Sequence, residues 1–241
     1  MSKIKALLFD FDETLFVNEE STRQAVLHAW TTLQSEFPHI TPQQALDTYM
    51  RVRDEFWKSD DDYLLQVITR SADEARGVLW SKTLDALGIE NKEQVAFLVL
   101  AFGHKRWETW ELYPDAIEIL DQLKARYRLI MVTNGIPEIQ RGKINKAQVS
   151  HYFDPIIISG EIGVSKPNPK YFEIAIKGLD LKADECVVIG DSVQNDVGGA
   201  KNAGMTSVWI NRGGLLPEPA IEPDYRITAL HELLPILEKL G

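Results

Sequence analysis

Apolar residues along this chain follow two different patterns in different stretches. Five short runs are near-continuous: Ile4 to Phe9, Leu129 to Thr133, Pro155 to Ile158, Cys186 to Ile189, and Thr206 to Ile210. Strands buried on both faces of a parallel sheet read this way, because neither face needs polar positions. Helical periods separate most of them. Ala116, Ile117, Ile119, Leu120 and Leu123 mark one apolar face, and Tyr171, Phe172, Ile174, Ala175 and Ile176 another. Such alternation implies right-handed crossovers and predicts an α/β fold, a doubly wound parallel sheet.

From about Val17 to Glu111 the alternation stops. Ala25, Val26, Trp30 and Leu33 keep helical spacing, as do Ala45, Leu46, Tyr49 and Val52, then Leu79, Leu84 and Leu87, and finally the run Val95 to Leu100. Pro38, Pro42, the Asp60-Asp61-Asp62 run, Gly88 and Pro114 punctuate them. The expected organisation is therefore a core from residues 1–16 and 112–241, with residues 17–111 as an inserted helical domain. Trp30, Trp57, Trp80, Trp107 and Trp110 lie in or beside this insertion, at spacings that suit core packing better than a ligand cage.

Composition narrows the classes. A chain of 241 residues accommodates one large domain or a core with a smaller companion. Its formal net charge of −10 argues against a nucleic-acid polymer or an anionic membrane as partner, since both need basic surfaces. An anionic small molecule must then be gripped by local positive charge. The single cysteine, Cys186, sits inside an apolar run and reads as a buried structural thiol. The N-terminal apolar stretch is short and ends in an acid, unlike a signal peptide, and no run reaches membrane-spanning length. A cytoplasmic location is expected.

Candidate chemistry gathers at the ends of the predicted strands. Phe9-Asp10-Phe11-Asp12-Glu13-Thr14-Leu15 follows the first, where open α/β sheets place their ligands. Two carboxylates two residues apart can divide the work, one as nucleophile and metal ligand, the other as proton carrier. Gly190-Asp191-Ser192-Val193-Gln194-Asn195-Asp196 adds two acids after another strand. Asp10, Asp12, Asp191 and Asp196 together would repel one another unless protonated or bridged by a divalent cation, and an oxygen-only set suits Mg²⁺. Alone, Asp191 and Asp196 equally suit the capping of a helix. Thr133-Asn134-Gly135 offers a hydroxyl and loop N–H groups for a phosphate oxygen, or an ordinary turn. Ser165-Lys166-Pro167-Asn168-Pro169 fixes a lysine that can neutralise phosphate and carboxylate, although an isolated lysine is usually surface charge. The ordered succession of all four motifs favours the chemical reading.

With these residues in place, the chain resembles the haloacid dehalogenase superfamily, in its phosphatase branch with a helical cap after the first strand. The likeness covers nearly the whole chain, with Asp10, Asp12 and Thr14 matching the first motif, Thr133 the second, Lys166 the third, and Asp191 with Asp196 the fourth. Thr133-Asn134-Gly135 and Val164 to Pro169 are most similar to nucleotidase and sugar-phosphate phosphatase members. The resemblance implies a Rossmann-like core, a Mg²⁺ cofactor, and a small-molecule phosphate ester as substrate. It implies Asp10 as nucleophile and Asp12 as acid and base. Mg²⁺ would be held by Asp10, the Asp12 backbone carbonyl and Asp191. Phosphate would be held by Thr133, the Asn134 backbone and Lys166, with Thr14, Asn195 and Asp196 in support. Glu13 stands where related enzymes often carry glycine, and its side chain is expected to face solvent or the cap hinge. Phe16, Val17 and Asn18 fall where the hinge and flap of the family begin. Arg51, Arg53, Lys58, Lys105 and Arg106 read as solvated helix faces or as contacts for a leaving group.

Rival readings differ at particular residues. Dehalogenases of the same superfamily lack the aspartate matched by Asp12, and phosphonate-cleaving relatives need a cap lysine for which no candidate stands out. A phosphomutase shares every motif and differs only in the acceptor of the phosphoryl group. A signalling receiver domain carries its acid pair and its phosphorylated aspartate on different strands, whereas Asp10 and Asp12 share one. A fold retained without catalysis would be expected to have lost Asp10, Asp12 or Lys166. No dedicated dimer element is evident, so a monomer or weak homodimer is expected.

Overall fold

The computed structural model describes residues 4–58, 71–214 and 216–241, the side chains of Trp57 and Lys58 excepted. Asp60-Asp61-Asp62, read above as punctuation, and those two side chains lie outside the described residues. In chain order the principal elements are β1 (Ala6–Phe9), α1 (Glu19–Leu33), α2 (Pro42–Lys58), α3 (Ala72–Ala86), α4 (Val95–Thr109), α5 (Ala116–Lys124), β2 (Arg128–Thr133), α6 (Pro137–Ala147), β3 (Ile156–Ile158), α7 (Pro169–Ile176), β4 (Cys186–Gly190), β5 (Thr206–Ile210), β6 (Tyr225–Ile227) and α8 (Leu233–Leu240). By packing the chain divides into two compact units, Met1–Val17 with Glu111–Gly241, and Asn18–Trp110.

The first unit is a six-stranded sheet in the order β3-β2-β1-β4-β5-β6, with every pairing parallel. The doubly wound α/β architecture expected from the apolar runs is therefore present. From β1 the chain builds outward through β2 to β3, then crosses to β4 on the other side of β1 and builds outward again. That reversal creates a switch point where the carboxyl ends of β1, β2 and β4 adjoin. All four residues of β1 and all five of β4 are buried, which explains their unbroken apolar character. On one face Ala6, Leu8, Ile130, Val132, Cys186 and Val188 pack with Tyr171, Phe172 and Ala175 of α7. The Cys186 thiol is free, buried, and pushed up to about 12 by burial. In α5 the buried face is Ala116, Ile119, Leu120 and Leu123, whereas Ile117 is exposed, correcting its assignment to that face. The strand β6 has no counterpart among the five apolar runs. It is three residues at the sheet edge, and its middle residue Arg226 is exposed, too short a signal for a period-two reading.

Among its described residues the second unit holds helices and turns only. Its core joins Ala25, Val26, Ala29, Trp30 and Leu33 of α1, Leu46, Tyr49 and Val52 of α2, Leu79, Trp80 and Leu84 of α3, and Leu98 and Phe102 of α4. Tyr49 lies 4.8 Å from the ring of Trp80 and 5.5 Å from that of Phe102. Trp30, Trp80 and Trp110 are buried, but Trp107 is half exposed and does not serve the core role expected of it. Arg106 also departs from expectation. It is buried, and its guanidinium donates to Thr22 Oγ1 (2.8 Å) and Asn18 Oδ1 (2.7 Å), tying the two ends of the unit together. Arg51 and Lys105 pair on the surface with Glu55 and Glu108, and Arg53 with Glu19 and Asp54.

No helix among the described residues is long and apolar enough to cross a membrane.

Candidate active site

β1 delivers Asp10 to the switch point, where its N–H donates to Ile189 O of β4 (2.9 Å). The loop beyond turns back at once, because Leu15 and Phe16 both donate their N–H groups to Phe11 O (2.9 Å each) and Glu13 N–H donates to Phe16 O (2.8 Å). So tight a turn puts Glu13 in the left-handed region at φ 58°, a conformation that glycine adopts without a Cβ penalty. Of the two directions expected for its side chain, solvent or the cap hinge, the carboxylate does not take the first. It accepts the Tyr113 hydroxyl (2.8 Å), and the Tyr113 ring lies under Arg212, whose guanidinium is 4.0 Å from its centroid. Arg212 in turn donates to both oxygens of Asp115 (2.9 and 2.8 Å) and to Thr14 O, fastening the loop from its far side. Thr14 Oγ1 donates to Asp10 Oδ2 (3.2 Å).

Lys166 reaches Asp10 from the loop before α7. Its buried ammonium donates to Asp10 Oδ1 (2.6 Å), Asp196 Oδ1 (2.6 Å) and Val132 O (3.1 Å), so all three of its hydrogens are engaged. Two hydrogen bonds fix this loop to the end of β2. Lys166 N–H donates to Asn134 Oδ1, and Asn134 Nδ2 donates to Lys166 O, each at 3.0 Å. The Asn134 side chain is thereby committed to structure, leaving only its backbone for the phosphate contact expected of it. Asn168 caps α7 by accepting the Lys170 N–H (3.0 Å), with Pro169 in the first turn.

The loop after β4 supplies the remaining acids. Asp196 Oδ2 accepts the Ser192 N–H (3.0 Å), so both its oxygens are held inside the protein. Its carboxylate lies against Gly190, where any Cβ would overlap it. Asn195 donates its N–H to Ser192 Oγ (3.2 Å), and its side chain makes no hydrogen bond among the described residues. Asp191 accepts the Trp209 indole N–H through its backbone carbonyl (2.7 Å), and its carboxylate receives no hydrogen bond among the described residues.

Asp10, Asp191 and Asp196 bring one carboxylate oxygen each within 4.8 Å of one another. Burial pushes Asp10 up to about 7, with Asp196 and Asp12 adding to the rise and Lys166 opposing it. Burial, then Asp10 and Asp196, push Asp191 well above the usual carboxylate range. Burial works against the charge of Lys166, but Asp10 and Asp196 outweigh it and its pKa rises. One ammonium thus serves three crowded acids, and this cluster can hold a metal ion. The donors are all oxygens, which fits a hard divalent cation such as Mg²⁺. Asp191 accepts no hydrogen bond on its carboxylate among the described residues, whereas Asp10 (from Lys166 and Thr14) and Asp196 (from Lys166 and Ser192) each accept one on each oxygen and keep a second lone pair there.

The carboxylate of Asp12 is not part of that acidic group. It faces α6, where Lys143 Nζ donates to Oδ1 (2.7 Å) and Oδ2 (2.9 Å), and Gln140 Nε2 donates to Oδ2 (3.2 Å). The second hydrogen of Gln140 Nε2 goes to Thr133 Oγ1 (2.6 Å). Both side chains are buried, yet neither featured among the sequence candidates. Their signal was available. Ile136, Gln140, Lys143 and Ile144 keep helical spacing, so two polar residues occupy positions that belong to a buried face. Gly135, at φ 144°, leaves room for the Gln140 side chain, which would stand 3.2 Å from any Cβ there.

Known proteins resemble the chain over most of its length. The family description "haloacid dehalogenase-like hydrolase" matches residues 4–204. A glyceraldehyde 3-phosphate phosphatase from Methanopyrus kandleri is 31% identical over 99% of both chains. A phosphoserine phosphatase from Thermus thermophilus is 37% identical over 142 residues, and that match spans only 57% of its length and 58% of this chain. Among solved structures, a haloacid dehalogenase-type phosphatase from Thermococcus onnurineus superposes with a TM-score of 0.65 at 30% identity, covering 97% of this chain and 98% of its own. The chain belongs to the haloacid dehalogenase-like hydrolases, and it is an enzyme of that family.

Proposed function

We propose that the protein is a Mg²⁺-dependent phosphatase that hydrolyses small phosphomonoesters, of the sugar-phosphate or nucleoside monophosphate class, through an aspartyl phosphate on Asp10. The observation that carries this reading is a division of labour. Asp10 and Asp12 leave one strand end two residues apart, yet Lys166 holds the first and Lys143 the second. Two carboxylates in such different surroundings suit different tasks. The phosphatase names of the whole-length relative and of the solved structure support the same reaction class.

In the first half-reaction an Asp10 oxygen bonds to phosphorus as the bond from phosphorus to the ester oxygen breaks, and Asp12 gives that oxygen its proton. In the second, water attacks phosphorus, Asp12 takes a proton from it, and the bond to Asp10 breaks to release inorganic phosphate. Thr133 is suited to grip a phosphate oxygen, because its Oγ1 accepts from Gln140 (2.6 Å) and donates only a long hydrogen bond to Asn134 O (3.4 Å), which it can exchange for a phosphate oxygen. The Asn134 backbone N–H is assigned a second oxygen. Lys166 keeps Asp10 placed, and to touch phosphate it must exchange one of its present acceptors. Mg²⁺, held by the carboxylates of Asp10 and Asp191 and by the Asp12 carbonyl, would neutralise charge on the nucleophile and the transferred group. Choice of leaving group is assigned to the helical unit Asn18–Trp110 as the family's cap, and the site of action to the cytoplasm.

The test is phosphate release from a panel of esters with and without Mg²⁺. The panel includes p-nitrophenyl phosphate, glyceraldehyde 3-phosphate, phosphoserine and pyrimidine nucleoside monophosphates. Release that needs Mg²⁺ and is lost in Asp10→Asn supports the proposal. No release from any ester contradicts it.

A further inference from the structure

Gln140 and Lys143 stand three residues apart on α6 and so share a face of that helix. Both are buried, at 2% and 3% exposure, although long polar side chains are rarely enclosed without a partner that compensates their lost hydration. Their compensation is specific. The Lys143 ammonium sits on both oxygens of Asp12 and 5.7 Å from the centroid of the Phe16 ring, which closes one side of it to water. The Gln140 amide splits its two hydrogens between Asp12 Oδ2 and Thr133 Oγ1.

Asp12 itself is 26% exposed at its side chain, so it stands at the open edge of this buried group. A loop carboxylate in that position would otherwise sample several rotamers. One ammonium on both of its oxygens and one amide on Oδ2 remove that freedom, and a proton carrier is effective only within hydrogen-bond reach of the reacting oxygen. The shared amide adds a second constraint. By donating to Thr133 Oγ1 (2.6 Å), Gln140 occupies a lone pair of that oxygen and so restricts where its one hydrogen can turn, at present toward Asn134 O at 3.4 Å and, with substrate bound, toward a phosphate oxygen.

We infer that Gln140 and Lys143 form a positioning pair, which fixes the acid–base carboxylate of Asp12 and links its placement to the phosphate-gripping hydroxyl of Thr133. This rests on the phosphatase reading above and deepens it. Between them the two residues donate to Asp12 and Thr133, and neither is assigned a contact with phosphate. Each acts through the group it holds, and a helix tie of purely structural purpose would produce different kinetics.

The experiment compares wild type, Lys143→Met, Lys143→Arg, Asp12→Asn and the double variant Asp12→Asn/Lys143→Met on p-nitrophenyl phosphate and on an alkyl phosphate, with Mg²⁺ present. Lys143→Met is expected to lower kcat about 10–100-fold with KM changed little, as losses of supporting hydrogen bonds do. The loss should be larger on the alkyl ester, whose leaving oxygen needs the proton more. Lys143→Arg should recover part of it. In the double variant the Lys143→Met loss should vanish, because the carboxylate through which it acts is gone. Losses that multiply in the double variant, or a raised KM with kcat kept, overturn the inference while leaving the phosphatase reading intact. A wild type silent on every ester overturns both. If Lys143→Met does not fold, Gln140→Met carries the same test, with an expected loss of about threefold or more in kcat that disappears beside Asp12→Asn.

Discussion

The ammonium of Lys166 lies 2.6 Å from Asp10 Oδ1 and 2.6 Å from Asp196 Oδ1, and all three side chains are buried. One cation therefore holds together two carboxylates that would otherwise repel each other. Replacing it by an apolar residue of similar length leaves two enclosed acids without compensation. Lys166→Met is expected to lower the unfolding free energy by about 3–5 kcal/mol, measured by urea denaturation in the presence of a chelator. A loss below about 1 kcal/mol would mean that the pair contributes little beyond what an exposed ion pair does.

A divalent cation should relieve the same crowding from the other side. Burial and its acidic neighbours raise Asp191, and its carboxylate accepts no hydrogen bond among the described residues. Mg²⁺ at a hundred times its dissociation constant is expected to stabilise the fold by about 2.7 kcal/mol, read as a rise in Tm. Asp191→Asn should abolish most of that rise. An equal Mg²⁺ response in the variant would place the ion elsewhere.

Glu13 carries a side chain where the turn favours none, at φ 58°, and recovers something through the Tyr113 hydroxyl. Glu13→Ala loses the hydrogen bond and keeps the strain, whereas Glu13→Gly loses the bond and relieves the strain. The glycine variant should be the more stable of the two by about 1–2 kcal/mol in thermal or urea unfolding. Alanine equal to or better than glycine would show that the left-handed conformation costs nothing here.

The sheet was legible because β1, β2, β4 and β5 are buried almost throughout, and an unbroken apolar run is what such strands require. An exposed edge strand such as β6 has no such requirement and left no pattern. In the candidate site, Asp10, Lys166 and Asp191 follow strand ends in the order of the motifs, so spacing alone brought them to notice. Lys143 and Gln140 are legible only through their spacing with Ile136 and Ile144, because a single lysine or glutamine on a helix otherwise reads as a solvated face. Glu13 departs from the glycine common at its position, but the direction of its side chain is not legible in the sequence. Its partner Tyr113 is 100 residues away in sequence and meets it only through the return of the chain to β1.

Cys186 points into the sheet core, and burial pushes its thiol up to about 12. A thiol so placed is almost wholly protonated at neutral pH and shielded from reagents. The native protein should therefore react negligibly with a disulfide reagent such as dithionitrobenzoate, and one equivalent should appear on adding denaturant. Rapid labelling of the native protein would contradict the packing of β4 against α7.

In the proposed mechanism Asp10 carries the phosphoryl group. The direct measurement is to mix the enzyme with Mg²⁺ and a turned-over phosphomonoester, quench in acid within the first turnover, and map the phosphoryl adduct by peptide mass spectrometry. The expected result is a hydroxylamine-labile phosphate on the peptide containing Asp10, absent in Asp10→Asn. Continued phosphate release with no adduct at Asp10, or with the adduct on another residue, would contradict it.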